Sequence, residues 1–115
     1  MKSNVSQRIS IADDFSTVPM GRFPTDSDVN GTLFRESFLY PALTKYQTID
    51  IDLDRTEGYG SSFLEESFGG LIREHDFSSE DLLHRINWIS TEEPSLIDEI
   101  KKYITDADRL KKSKK

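Results

Sequence analysis

Residues 48–74 read TIDIDLDRTEGYGSSFLEESFGGLIRE, and the change of rhythm inside this stretch decides the fold. Ile49, Ile51 and Leu53 alternate with Thr48, Asp50 and Asp52. That period of two predicts a half-buried strand over residues 47–53. After the loop RTEGYG, residues Phe63, Leu64, Phe68, Leu71 and Ile72 recur at helical spacing. Ser62 followed by Glu65 has the form of a capping box, which starts the helix at Ser61 or Ser62 and carries it to Arg73. Gly69 and Gly70 lie inside it. A mid-helix glycine costs roughly 1 kcal/mol relative to alanine, so the pair predicts a close approach, with the sheet as the expected neighbour.

Working outward, Ile9 and Ile11 around Ser10 predict a first strand, and TVPMGRFPTDSDVNG a loop or irregular hairpin. From Thr32 a helix is expected, with Phe34, Phe38 and Ala42 on one stripe and Leu39, Leu43 and Tyr46 on the next. Pro41 predicts a kink there or a meeting of two short helices. FSSEDLLHRI reads as a short serine-capped helix and INWI as a brief strand. Residues 95–106 form an amphipathic helix, with Thr91 and Ser95 as candidate caps. Strands alternating with helices predict an α/β domain, a mixed, mostly parallel sheet with helices packed on it. The domain is expected over residues 9–107, between an N-terminal extension at 1–8 and a disordered basic tail at 108–115.

At 115 residues the chain is long enough for one hydrophobic core. It has no cysteine, hence no disulfide framework and no thiolate chemistry. MKSNVSQRIS has no apolar signal core, and no stretch is apolar enough to span a membrane, so a cytoplasmic protein is expected. Net charge is −6, yet RLKKSKK carries five basic residues, which leaves 1–108 at −11. A body that acidic repels nucleic-acid phosphates.

Several chemistries can be tested against the joint at residues 58–62. It lacks the lysine and glycine spacing of a phosphate-binding P-loop. Gly58-Tyr59-Gly60-Ser61-Ser62 has half of a nucleophile elbow, but no glycine follows two residues after either serine. The two histidines, His75 and His84, stand in no catalytic pattern, so a non-enzymatic role without metal or cofactor is expected. Asp50, Asp52 and Asp54 read as a polar strand face, and Glu65 and Glu66 as acids favoured in a first helical turn. Arg22, Arg35 and Arg55 read as acid-paired or solvated cations. From spacing alone, Ser62 caps the helix and Ser61 is a turn residue beside it.

The runs GRF and DSDVNGTLFRESFLYPAL, with the stretch quoted above, resemble bacterial STAS-like domains of unknown function, distant relatives of the STAS domains of anti-anti-sigma factors. The resemblance spans roughly residues 9–104. It is most specific from Gly60 to Leu71, with Gly21-Arg22 and Phe34-Arg35-Glu36 in support. It implies a mixed sheet with helices on one side. In anti-anti-sigma factors the loop after a central strand reads aspartate, serine, serine or threonine, glycine, then an apolar residue, and the first serine is phosphorylated. Here Gly60 stands at the aspartate, Ser61 at the phosphorylated position, Ser62 next and Phe63 at the glycine. The resemblance also implies a histidine-kinase-like ATPase as partner.

Two functions follow as expectations. One is a regulatory protein–protein interaction module switched by phosphorylation at Ser61 or Ser62. Its binding surface would include Arg22, Arg35, Asp54, Tyr59, Gly60, Glu65 and Glu66. The other is a small-ligand or nucleotide-binding α/β domain that uses the loop after the 47–53 strand, because open α/β sheets bind ligands beyond their strand ends. A flat apolar patch beside Ser61 would favour the first, and a concave pocket of converging charges the second.

Overall fold

Alternation places Ile49 and Ile51 on the same side of one strand, and in the computed structural model, which describes residues 6–114, both are fully buried. This strand, β2 (Ile49–Asp52), is the middle of a three-stranded sheet with β1 (Gln7–Ser10) and β3 (Ile86–Ile89) at its edges. Among the described residues both strand pairings are parallel, so the sheet expected to be mixed and mostly parallel is parallel throughout them. The register sets Ile9 beside Ile51 and Ile51 beside Trp88. On the opposite face Asp50 accepts from the Asn87 amide at 3.0 Å and from the Ser6 hydroxyl at 3.3 Å. Each apolar–polar alternation thus has an apolar helix layer on one side and a polar ladder on the other.

Among the described residues five helices complete the fold. One is a single wide turn at Ile11–Phe15, capped by the Ser10 hydroxyl, so that Ile11 starts this turn instead of continuing the expected first strand. The four longer helices are α1 (residues 31–45), α2 (residues 61–75), α3 (Ser79–Arg85) and α4 (Ser95–Ser113). The Asn30 side chain caps α1 by accepting from the Leu33 N–H at 2.9 Å. α1 runs on through Pro41 as one continuous helix. The turn Arg35–Leu39 is widened to π geometry just before the proline. Proline lacks the N–H that would bond four residues back, and the wide turn absorbs that loss. α2 carries a similar wide turn at Glu65–Gly69. It ends where Asp76 turns left-handed at φ 63°. Ser78 caps α3, as its serine predicted.

Phe34 on α1 meets Phe63 and Phe68 on α2 at ring-centroid distances of 5.8 and 6.4 Å, and Phe68 meets Trp88 at 5.2 Å. This aromatic layer joins both helices to the sheet. The glycines that let the helices approach are only partly those expected. Gly70 faces the guanidinium of Arg35 rather than the sheet, and Gly31 faces the α2 backbone.

The basic tail, expected to be disordered from residue 108, continues α4 to Ser113. Asp108 is buried and accepts from the Ser79 hydroxyl and N–H at 2.7 and 2.9 Å. Lys111 donates to the Ile72 carbonyl at 2.7 Å. These bonds to α2 and α3 hold a segment whose composition alone reads as solvated. The first five residues of the expected N-terminal extension lie outside the described residues, and β1 begins at Gln7 within it.

Candidate functional site

The loop after β2 is clamped to the loop after β3. Asp54 accepts from the Thr91 hydroxyl at 2.6 Å, the Glu92 N–H at 3.0 Å and the Thr91 N–H at 3.1 Å. Thr91 therefore ties two loops together instead of capping α4, whose first residue is Ser95. Arg55 takes a left-handed φ of 72° and reaches back to Asp13 at 2.6 Å and Asp52 at 3.0 Å. Tyr59 turns inward and donates to the Leu53 carbonyl at 2.8 Å, and burial pushes its phenol up to about 12. Below it lies a cleft of about 140 Å³ with Thr56, Glu57, Glu92, Glu93 and Leu96 in its walls.

At the end of this loop the expected capping box does not form. Gly60 is the cap residue, extended at φ −78° and ψ 144°, and no side chain caps the helix. Ser61 and Ser62 are already in the first turn, both exposed. Glu65 does not reach back either, because Arg22 and Arg73 each hold its carboxylate at 2.6 Å. The Ser61 hydroxyl lies beside Tyr103, whose phenol donates to Glu99 at 2.6 Å and is pushed up to about 12 chiefly by that bond.

Of the arginines named from sequence, Arg22 and Arg35 meet on Glu66, while Arg55 pairs with Asp13 and Asp52, so the three do not form a free cationic site. Arg35 is buried and donates to the Glu66 carboxylate and to the Glu66 carbonyl, both at 2.7 Å. Glu66 is also buried and takes a further bond from Arg22 at 3.2 Å. Arg35 and Glu66 therefore do not belong to a partner or ligand surface. An arginine with a carboxylate at this depth needs its partner to offset desolvation. Asp54 and Tyr59 are likewise committed within the chain. Of the residues expected at the surface, Gly60, Ser61 and Ser62 remain exposed at one helix end, with Arg22 and Glu65 paired nearby.

Sequence reasoning passed over their neighbours. Glu57 N–H donates to the Thr17 carbonyl at 2.8 Å, which brings the 16–30 loop alongside. Val18, Pro19 and Met20 then form a shallow apolar cleft with Glu57, Gly58 and Gly60. Val18 and Met20 are 47% and 55% exposed. The available signal was three apolar residues, Val18, Met20 and Phe23, in a loop with no core periodicity to absorb them.

A family model described as "STAS-like domain of unknown function (DUF4325)" matches residues 30–96, from the cap of α1 through β2, α2, α3 and β3 to the start of α4. The chain belongs to this STAS-like family. Comparisons with curated proteins and with solved structures found no match. In this STAS-like domain the matched span holds the Ser61 helix end and the Arg35–Glu66 pair. β1, which completes the sheet, lies before it. Among the described residues of the STAS-like domain, no helix is long and apolar enough to cross a membrane.

The carboxylates of the STAS-like domain set its acid sensitivity. The Glu92 N–H, the Thr91 hydroxyl and the Thr91 N–H hold Asp54 below the usual aspartate value. Burial would raise Asp52, but bonds from the Asp54 N–H, Arg8 and Arg55 outweigh it and lower it. A carboxylate lowered on folding contributes stability above its unfolded pKa, near 4, and loses it as pH falls through the folded value. Melting temperature is therefore expected to fall as the pH drops below about 4. Asp54→Asn should melt lower than the parent at neutral pH and fall less on acidification. An undiminished fall in that variant would remove Asp54 from the account.

Proposed function

We propose that this STAS-like domain is a regulatory protein–protein interaction module that binds through the N-terminal end of α2, with Ser61 as its switch. The observation that carries the reading is an exposed serine pair, free of capping duty, beside the open apolar cleft of Val18, Pro19 and Met20. An apolar patch next to the hydroxyl suits a protein partner. The ligand-binding alternative called for a concave pocket of converging charges. The cleft beside Tyr59 gathers carboxylates, and the cations that could hold an anionic ligand, Arg22, Arg35 and Arg55, are all paired to carboxylates.

Phosphate on Ser61 adds about −1.5 to −2 charges and can accept from the free N–H groups of the first turn. It would stand near Tyr103 and Glu99, so it would make an acidic face more acidic and alter its fit to any charged partner. The resemblance to anti-anti-sigma relatives points to a histidine-kinase-like ATPase as that partner, in the cytoplasm. The role is non-enzymatic. His75 pairs with Glu36 at 2.7 Å, and the His84 ring bonds the Glu80 carbonyl at 2.8 Å, so both histidines are engaged elsewhere.

Ser61→Ala, Ser61→Asp and Ser62→Ala are each expected to change stability by no more than about 0.5 kcal/mol, because neither serine caps the helix. Ser61→Asp is expected to shift affinity for a co-encoded kinase-like ATPase by about tenfold in calorimetry, while Ser62→Ala leaves it unchanged. A response at Ser62 alone would move the switch to that residue. No response at either would leave the serines without a regulatory role.

A further inference from the structure

The two ends of the molecule are opposite in charge, and both expose apolar side chains. α2 and α4 run side by side in the same direction, with Ser61 beside Tyr103 and Ile72 bonded to Lys111. The ends of both helices therefore share one pole, and Gly60 and Leu96 lie at the other. The 19 residues of α4 separate these poles by about 28 Å.

At the C-terminal pole an apolar groove of about 280 Å³ lies along Ala107 and Leu110, walled by the stems of Arg73, Lys111 and Lys114. Leu110 is 60% exposed, the largest exposure of any large hydrophobic residue described. Residues 109–115 carry five basic residues and no acidic one. Asp76, Asp106 and Asp108 offset part of that charge by pairing with Lys111, Arg109 and Lys112. At the opposite pole the Val18–Met20 cleft has Glu57 on its rim, and Glu57, Glu92 and Glu93 line the adjoining cleft.

We propose that the protein associates head to tail with a second copy of itself. Leu110 and the lysines at the end of α4 in one copy seat on the Val18–Met20 cleft and its glutamate rim in the next. Charge complementarity selects this occupant. A basic pole set on a basic pole, or an acidic pole on an acidic one, places like charges face to face, whereas the unlike poles attract. Lysine stems can lie over apolar surface while their ammonium groups reach carboxylates. The two patches are different surfaces, so the contact is heterologous, and an oligomer that does not close into a ring keeps one unused patch at each end. The inference does not rest on phosphorylation or on a kinase-like partner. It does mean that self-association and a partner at the Ser61 end compete.

Analytical ultracentrifugation of the full chain tests it. Wild-type mass is expected to rise with concentration without closing at a fixed oligomer, and the rise should weaken as salt increases from about 50 to about 500 mM. Met20→Asp and Leu110→Asp each disable one patch and are each expected to weaken association by on the order of tenfold or more. Mixed in equal amounts, they should form a heterodimer of twice the monomer mass and nothing larger, because each supplies the patch the other lacks. Both residues are exposed, so the fold should survive, as circular dichroism would verify, and Val18→Asp should reproduce Met20→Asp. A wild type that stays monomeric at about 1 mM, roughly the level at which even weak contacts register, overturns the proposal. So does a mixture no heavier than its components, or a dimer that either substitution leaves intact.

Discussion

Ile51→Asp is expected to leave the domain unfolded at room temperature. Ile51 has no exposed surface, and it is paired on both sides, with Ile9 of β1 and Trp88 of β3. An ionised carboxylate there would have no cation among its neighbours on the apolar face. The cost is several kcal/mol for an unpaired buried charge, plus about 2–5 kcal/mol for the lost isoleucine packing. Domains of this size are stable by only about 5–15 kcal/mol, so the substitution removes most or all of it. Asp50→Ile makes the contrast on the same strand, because Asp50 faces the half-exposed polar ladder and the strand there tolerates an apolar side chain. Thermal melts followed by circular dichroism compare the two. A cooperative melt for Ile51→Asp within a few degrees of the parent would refute the central placement of β2.

Gly31→Ala is expected to be the most damaging glycine substitution. A Cβ at Gly31 would lie 2.8 Å from the Phe63 carbonyl oxygen and 2.9 Å from the Glu66 Cβ. The first of these is backbone, which cannot swing aside, so α1 and α2 must separate at the point where Phe34 packs on Phe63. Overpacking of this kind costs about 1–3 kcal/mol, and the upper part of that range is expected here. That is a fall of roughly 8–12 °C in melting temperature at about 4 °C per kcal/mol. Gly70→Ala should follow. Its Cβ would meet the Arg35 guanidinium, a side chain able to shift but tied to Glu66 and Glu36. Gly69→Ala should be mildest, because it meets the flexible end of Glu65 and gains up to about 1 kcal/mol of helix propensity. If Gly31→Ala melts at or above the parent temperature, the two helices do not meet as closely as described.

Much of the fold could be read from local pattern. The alternation at 49–53 and the helical spacing at 63–72 identified the central strand and its following helix, because a residue's side of a strand or helix is set by backbone geometry alone. The Ser78 cap, the INWI strand and the family resemblance were legible for the same reason, each resting on a few adjacent residues. The capping box failed because its serine and glutamate had the right spacing, but Gly60 already occupied the extended cap position and Arg22 and Arg73 competed for Glu65. That competition comes from 43 residues away in the case of Arg22, beyond any local window. The structured tail was missed for a similar reason: Lys111 and Asp108 find Ile72 and Ser79 only after α2 and α3 are folded.

By itself, then, the sequence determined which residues face a core, the order of strands and helices and the family to which they belong. Those follow from periodicity and short-range chemistry. Tertiary structure alone decided that Arg35 and Glu66 are interior, that Gly31 is a contact point and that the exposed Ser61 follows a glycine lining an apolar cleft. Each of these depends on segments distant in the chain converging, and on which of several possible partners a charge or a glycine meets once they do.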